Sequence, residues 1–151
     1  MHPLVLDTNI VLDLLVFQDP AIGPLHLAIN RGDLDWIATI GMRDELKRVL
    51  TYPAIITRLE KRAIQETHGT RLDPASAALQ QFDALSRMLP APGKAPVTCR
   101  DPDDQIFIDL AVAHQAMLLS KDRAVLCMKK RLLALSVIVS SAPIYESSGH
   151  R

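Results

Sequence analysis

The chain has 151 residues, enough for one domain, and 48% of them are hydrophobic but only 4% aromatic, so its core must be aliphatic. Basic and acidic residues balance at 17 each, so bulk charge argues neither for nor against a polyanionic partner, and nucleic-acid binding would need a local basic patch. The two cysteines lack zinc-ligand spacing and argue against a secreted disulfide framework.

The first half of the chain alternates strand patterns with helical ones. The apolar run Leu4–Leu6 predicts a strand buried on both faces, followed directly by a helix for which Thr8 or Asn9 is a suitable N-cap. A second helix is predicted to end near Asn30, before a second strand at Leu34–Thr39. Two further helices are predicted at Met42–Tyr52 and Ala54–His68.

The second half continues the alternation. Asp73-Pro74 and Asp101-Pro102 each place an N-cap before a proline at the first helical position, which predicts helices running to about Ser86 and Gln115. A last helix is predicted at Arg123–Leu135, and strands at Arg87–Leu89, Met117–Ser120 and Val137–Val139. The alternation indicates a three-layer α/β/α fold with a mostly parallel sheet, in one domain over residues 1–146, with a frayed polar tail at 147–151.

The sequence offers no evident targeting or membrane segment. The residues before Asp7 lack the charged region of a signal peptide, and no apolar run approaches the ~20 residues of a membrane helix. We therefore expect a cytoplasmic protein without a membrane partner.

Four acids stand where a parallel sheet binds ligands. Asp7 and Asp122 follow predicted strands, and Glu45 and Asp104 lie in the first turns of predicted helices. Ligands of such sheets bind beyond the carboxyl ends of the strands. Two carboxylates about 4 Å apart repel by roughly 4 kcal/mol at an effective dielectric near 20. If the fold brings the four together, it needs a divalent cation or raised pKa values.

Each acid also has a simpler interpretation. Asp7 or Asp122 could be an N-cap of the following helix, and Glu45 alone would pass for a surface acid on an amphipathic helix. Asp101 is our choice for the cap of its helix, whereas Asp104 lies along the buried face. Five basic side chains flank acids and could hold phosphate, namely Arg43, Lys47, Arg100, Lys121 and Arg123.

Four blocks of the sequence together resemble the PIN domain, a nuclease fold typical of toxin ribonucleases. Leu6-Asp7-Thr8-Asn9 is similar to its LDTN opening, and Glu45–Leu50 to its second acidic segment. Cys99–Asp104 is similar to the CRDPDD stretch of a bacterial subgroup of VapC-like toxin components, and Ser120-Lys121-Asp122 to the T/S-x-D after the fourth strand. The resemblance spans Leu4 to about Tyr145 and implies the strand order 3-2-1-4-5.

The resemblance also implies a site and an activity. It makes Asp7, Glu45, Asp104 and Asp122 catalytic metal ligands, with Asn9 and Ser120 as supporting polar groups, and leaves Asp101 and Asp103 open. The implied protein is a Mg²⁺- or Mn²⁺-dependent endoribonuclease, the toxin of a type II toxin–antitoxin pair, with RNA as substrate, an antitoxin as partner and a homodimer as assembly.

Two alternatives remain at this stage. The chain could be a non-catalytic PIN-fold module that binds RNA or an antitoxin. It could also be an α/β phosphatase using strand-end carboxylates, although Asp7-Thr8-Asn9 lacks the DxD motif of that class.

Overall fold

A computed structural model describes residues 2–65 and 73–141, without the side chains of 62–65. Five strands form one sheet in the order β3-β2-β1-β4-β5, and every pairing is parallel. The strands are β1 (His2–Leu6), β2 (Leu34–Ala38), β3 (Arg87–Met88), β4 (Met117–Leu119) and β5 (Val139–Ser140). The predicted order is confirmed. The predicted end of a helix at His68 and the predicted tail at 147–151 lie outside the described residues.

Both faces of the sheet are covered. Leu4, Val5 and Leu6 are consecutive in β1 and all are buried. Because successive side chains of a strand point to opposite faces, such a run requires packing on both sides. Trp36 on β2 extends this core and meets the ring of Phe82 edge-on, with 5.1 Å between ring centroids. These contacts give the predicted three-layer α/β/α arrangement.

Eight α-helices lie between the strands in the described part of the chain. They are α1 (Thr8–Leu12), α2 (Gly23–Asn30), α3 (Ile40–Val49), α4 (Pro53–Gln65), α5 (Pro74–Leu85), α6 (Gln105–His114), α7 (Arg123–Leu126) and α8 (Lys129–Leu133). A π-helical segment at Asp13–Phe17 continues α1, and 3₁₀ turns precede α2 and α6 at Pro20–Ile22 and Pro102–Asp104.

The single helix predicted at Arg123–Leu135 is wrong. The chain leaves helical geometry at Met128, where φ is −94° and ψ is 8°, and α7 and α8 lie on either side of the break. Met128 and Leu132 are both fully buried. Met128 lies in the break itself, and α7 and α8 on either side of it bury Val125 and Leu132.

Two polar side chains of α6 hold the proline-rich loop that precedes it. Gln105 accepts a hydrogen bond from the backbone N–H of Cys99 at 2.6 Å and donates one to Asp109 at 2.8 Å. Asp109 also accepts from the N–H of Ala95 at 2.8 Å. The loop is thus tied to α6 just before it reaches Asp101.

Within the described ranges, no single helix is long and apolar enough to cross a membrane. Thr8–Phe17 and Pro20–Asn30 reach that length and composition only when taken together, and they are bent by 108°.

Candidate metal centre

The register between β1 and β4 places two polar residues side by side at the end of the sheet. Leu6 pairs with Leu119, and the N–H of Asp7 donates to the carbonyl of Leu119 at 3.1 Å. The next side chain along β4 is Ser120, whose hydroxyl donates to Oδ2 of Asp7. The same hydroxyl oxygen accepts from the N–H of Asp122 at 3.0 Å. Ser120 therefore links the two strand-end acids.

Asp7 combines two roles that the sequence analysis treated as alternatives. Its Oδ1 accepts from the N–H of Ile10 at 2.9 Å, so Asp7 is the N-cap of α1, and the expectation that Thr8 or Asn9 caps this helix is wrong. Asp7 is also only 3% exposed at the end of β1. Capping and membership of an acidic pocket are compatible because a carboxylate has two oxygens.

Glu45 on α3 is held by a residue of α1. The Thr8 hydroxyl donates to Oε2 of Glu45 at 2.9 Å across two helices that adjoin only in the folded chain. Thr8 is buried and Glu45 is half-buried. From the sequence alone, Thr8 is predicted only as a helix cap. Its position between Asp7 and Asn9 in the LDTN block was the available signal for a role at the site.

Asp104 lies at the centre of the closest group of acids. One oxygen each of Asp101, Asp104 and Asp122 lies within 4.8 Å of the others. Asp104 is 8% exposed, and its Oδ2 is a buried oxygen with no hydrogen-bond partner among the described residues. Asp101 caps the 3₁₀ turn by accepting from the N–H of Asp103 at 3.0 Å, and the Asp103 side chain is exposed. The geometry thus adds Asp101 to the cluster and not Asp103.

One pocket of about 310 Å³ collects all four predicted acids. Its polar lining consists of Asp7, Glu45, Asp104 and Asp122 together with Thr8 and Asn9. Its remaining lining is apolar or aromatic and consists of Leu12, Val49, Tyr52, Ala54, Ile55 and Phe107. The pocket therefore combines four carboxylates with an apolar surface, to which Ala54 and Ile55 of α4 contribute.

Burial and mutual repulsion change the titration of two of these acids. Burial raises the pKa of Asp7, an effect that hydrogen bonds from Ser120 and Ile10 partly oppose. Burial is also the main reason why the pKa of Asp104 rises to about 7, followed by the adjacent Asp122 carboxyl, which favours the protonated form of Asp104. The negative charges of neighbouring acids raise it further. Both shifts show that the folded chain disfavours more negative charge here.

The donor set fits a hard divalent cation. Every charged group in the pocket is a carboxylate, and oxygen ligands are those that such cations prefer. The buried Oδ2 of Asp104 has no hydrogen-bond partner among the described residues, although a buried polar oxygen requires one. A cation placed here would meet that need and relieve the repulsion among the acids.

The basic residues expected to hold phosphate have different environments. Arg43 binds Asp83 on α5 through two hydrogen bonds of 2.7 and 2.9 Å, and Lys121 forms an ion pair with Asp13. Lys47, Arg100 and Arg123 are exposed. Asp13, which is 7% exposed, was not recognised from the sequence; an acid within an apolar helical run was its only signal. None of the five predicted basic residues lines the pocket in the described part of the chain.

The sequence of this chain matches a known family. A model of the PIN domain matches residues 3–124, which include all four acids. This chain belongs to the PIN domain family. PIN domains are generally nucleases, and the acidic cluster agrees with that chemistry.

This PIN domain also resembles a solved structure. A chain in the crystal structure of VapBC2 from Rickettsia felis, bound to a DNA fragment from their promoter, superposes with a TM-score of 0.50 and 12% sequence identity. The match covers 91% of this chain and 96% of that chain, and at this identity it establishes similarity of fold alone. No curated protein matches the sequence.

Proposed function

We propose that this PIN domain is a Mg²⁺- or Mn²⁺-dependent endoribonuclease that hydrolyses RNA phosphodiester bonds. The observation that supports this most directly is the buried, unpaired Oδ2 of Asp104 beside the carboxylates of Asp101 and Asp122. A protein has little reason to keep such a group unless a cation or substrate completes it.

Asp7, Glu45, Asp104 and Asp122 are the proposed catalytic ligands, and Asp101 is a supporting carboxylate. When bound, Mg²⁺ or Mn²⁺ supplies Lewis-acid chemistry, which activates water and stabilises the negative charge that develops on the leaving oxygen of a phosphodiester. The protein itself then needs no serine, cysteine or histidine nucleophile.

The other polar groups position these ligands. Ser120 donates its only hydroxyl proton to Asp7, and Thr8 donates to Glu45. Each carboxylate keeps further lone pairs that take no part in these hydrogen bonds. Asn9 is exposed at the pocket and is available to a phosphate or water. The exposed Lys47, Arg100 and Arg123 lie near the acids in sequence and are proposed to hold the RNA backbone.

Cleavage of RNA with and without Mn²⁺ tests the proposal. Asp7→Asn and Asp104→Asn should each abolish metal-dependent cleavage and leave the fold intact, because asparagine is nearly isosteric and relieves repulsion. Asp103→Asn is the matched control, since it removes an exposed acid of the same turn. Full activity in both site variants would remove this mechanism. A binding-only module would show RNA binding without cleavage in the unmodified protein.

We further propose that the chain is the toxin of a type II toxin–antitoxin pair, acting in the cytoplasm as a homodimer. The fold shared with a chain of the VapBC2 structure supports this role, as does the family. A short neighbouring gene encoding a DNA-binding protein would identify the antitoxin. Growth arrest on expression of this chain, reversed by the neighbour and absent in Asp104→Asn, is the expected result. Normal growth with active protein would refute the toxin role.

A further inference from the structure

One exposed aromatic ring lies at the pocket. Tyr52 is 46% exposed and lines the same pocket as the four acids. Trp36, Phe82 and Phe107 are buried, and Phe17 is half-buried beneath the guanidinium of Arg58. Among the residues that the structure describes, Tyr52 is therefore the one aromatic side chain with a large exposed surface.

The backbone holds Tyr52 firmly at the turn between α3 and α4. Its N–H donates to the carbonyl of Val49 at 3.0 Å, and its carbonyl accepts from the N–H groups of Ile55 and Ile56 at 3.0 and 2.9 Å. Pro53, the first residue of α4, further restricts the chain at this point. The ring is thus displayed from a rigid turn rather than from a free loop.

Tyr52 lies beyond the end of α3 and lines the same pocket as two residues of that helix. Glu45 and Val49 are four residues apart on α3, so they lie on one face, and the turn after the helix brings Tyr52 to the pocket three residues after Val49. Ala54 and Ile55 extend the apolar surface beside the ring.

We propose that Tyr52, with Val49 and Ile55, forms a subsite for one unpaired nucleobase of the RNA strand whose phosphate lies at the acidic cluster. The inference rests on the proposed function and extends it to a residue that positions the substrate. A base inside a duplex is stacked on its neighbours and cannot reach a ring in a pocket of this size. An exposed aromatic face beside an apolar surface is the chemistry on which unpaired bases stack.

The first test measures RNA binding in the Asp104→Asn background, where no cleavage is expected. The probe is a short fluorescein-labelled single-stranded RNA, read by fluorescence anisotropy. Tyr52→Leu keeps an apolar side chain but removes the ring, and should raise Kd about tenfold. Tyr52→Phe keeps the ring and should bind as before. Leu133→Ala, which truncates an exposed apolar residue of α8 outside the pocket, is the control and should have no effect.

The second test removes the base instead of the ring. An abasic nucleotide is placed at each position of the probe in turn. At one or two positions, the abasic nucleotide should raise the Kd of the protein that contains Tyr52 about tenfold. The same nucleotide should hardly change the Kd of Tyr52→Leu, because removing the base and removing the ring abolish the same contact. Equal losses in both proteins at every position, or an unchanged Kd in Tyr52→Leu, would overturn the subsite.

The two proposals fail in different ways. Cleavage by the unmodified protein with an unchanged KM in Tyr52→Leu removes the base subsite and leaves the nuclease. Base-dependent binding without any metal-dependent cleavage removes the nuclease and keeps the subsite. Equal affinity for single-stranded and fully duplex probes would also contradict the subsite, because a paired base cannot occupy it.

Discussion

Replacing Asp104 with asparagine should change how the stability of the metal-free protein depends on pH. The pKa of Asp104 is raised to about 7 in the folded protein, mainly by burial, from an ordinary value of 3.8. The folded state therefore holds a proton that the unfolded chain releases between about pH 4 and pH 7. The free energy of unfolding should fall as pH rises through that window, because the native state binds more protons there.

The size of this change in the free energy of unfolding follows from the size of the pKa shift. Each unit of pKa corresponds to about 1.4 kcal/mol, so the change from 3.8 to about 7 has an upper bound of about 4 kcal/mol. Solvent in the open pocket and relaxation of the neighbouring acids reduce this energy, so we expect the free energy of unfolding to change by about 2 kcal/mol. Asparagine is neutral at every pH and resembles the protonated carboxyl in shape. Asp104→Asn should therefore lack this part of the pH dependence.

Urea unfolding in EDTA at pH 5 and pH 8 provides the measurement. Asp104→Asn should be more stable than the unmodified protein at pH 8, and its advantage should be clearly smaller at pH 5, where only part of the window between pH 4 and pH 7 has been crossed. Asp103→Asn is the matched control, because it removes a neighbouring acid whose side chain is exposed, and its pH dependence should follow that of the unmodified protein. Stability curves of the unmodified protein and Asp104→Asn that run parallel between pH 5 and pH 8 would refute this account of the cluster.

Three further outcomes follow from individual contacts. Lys121→Met leaves Asp13 buried without its cation and should destabilise the protein by about 1–3 kcal/mol in urea unfolding. The expected loss is modest because the Lys121 side chain is 48% exposed. Adding Asp13→Asn should restore most of the lost stability. Thr8→Val removes the hydrogen bond to Glu45 and should weaken Mn²⁺ binding several-fold in calorimetry, with little change in Tm. An unchanged Mn²⁺ affinity would show that Glu45 does not need this hydrogen bond. Mn²⁺ at a hundredfold its Kd should stabilise the unmodified protein by about 2.7 kcal/mol in thermal unfolding, and much less stabilisation is expected for Asp7→Asn.

The sequence predicted the sheet well because its signals are local. Short apolar runs bounded by turn residues identified every strand within two residues at either end, and the alternation with helices predicted the parallel layers. The least accurate prediction was the helix at Arg123–Leu135. Its break at Met128 has no local signal, because no glycine or proline lies between Arg123 and Leu135.

The candidate site was predicted in part for the same reason. Asp7 and Asp122 follow strands that the sequence identifies, and parallel strands bring their carboxyl ends to one edge. The roles of Thr8 and Asp13 were missed because each depends on a partner far along the chain, Glu45 in one case and Lys121 in the other. No spacing rule relates such partners.

By itself, the sequence determined which residue types stand at the ends of strands and starts of helices, since local propensity and hydrophobic period act between near neighbours. Only the tertiary structure decided that Asp101 joins Asp104 and Asp122 while Asp103 turns to solvent, and that the Lys121 ammonium pairs with Asp13. These outcomes depend on side-chain direction and on through-space distance, which the folding of distant segments creates and which linear order does not encode.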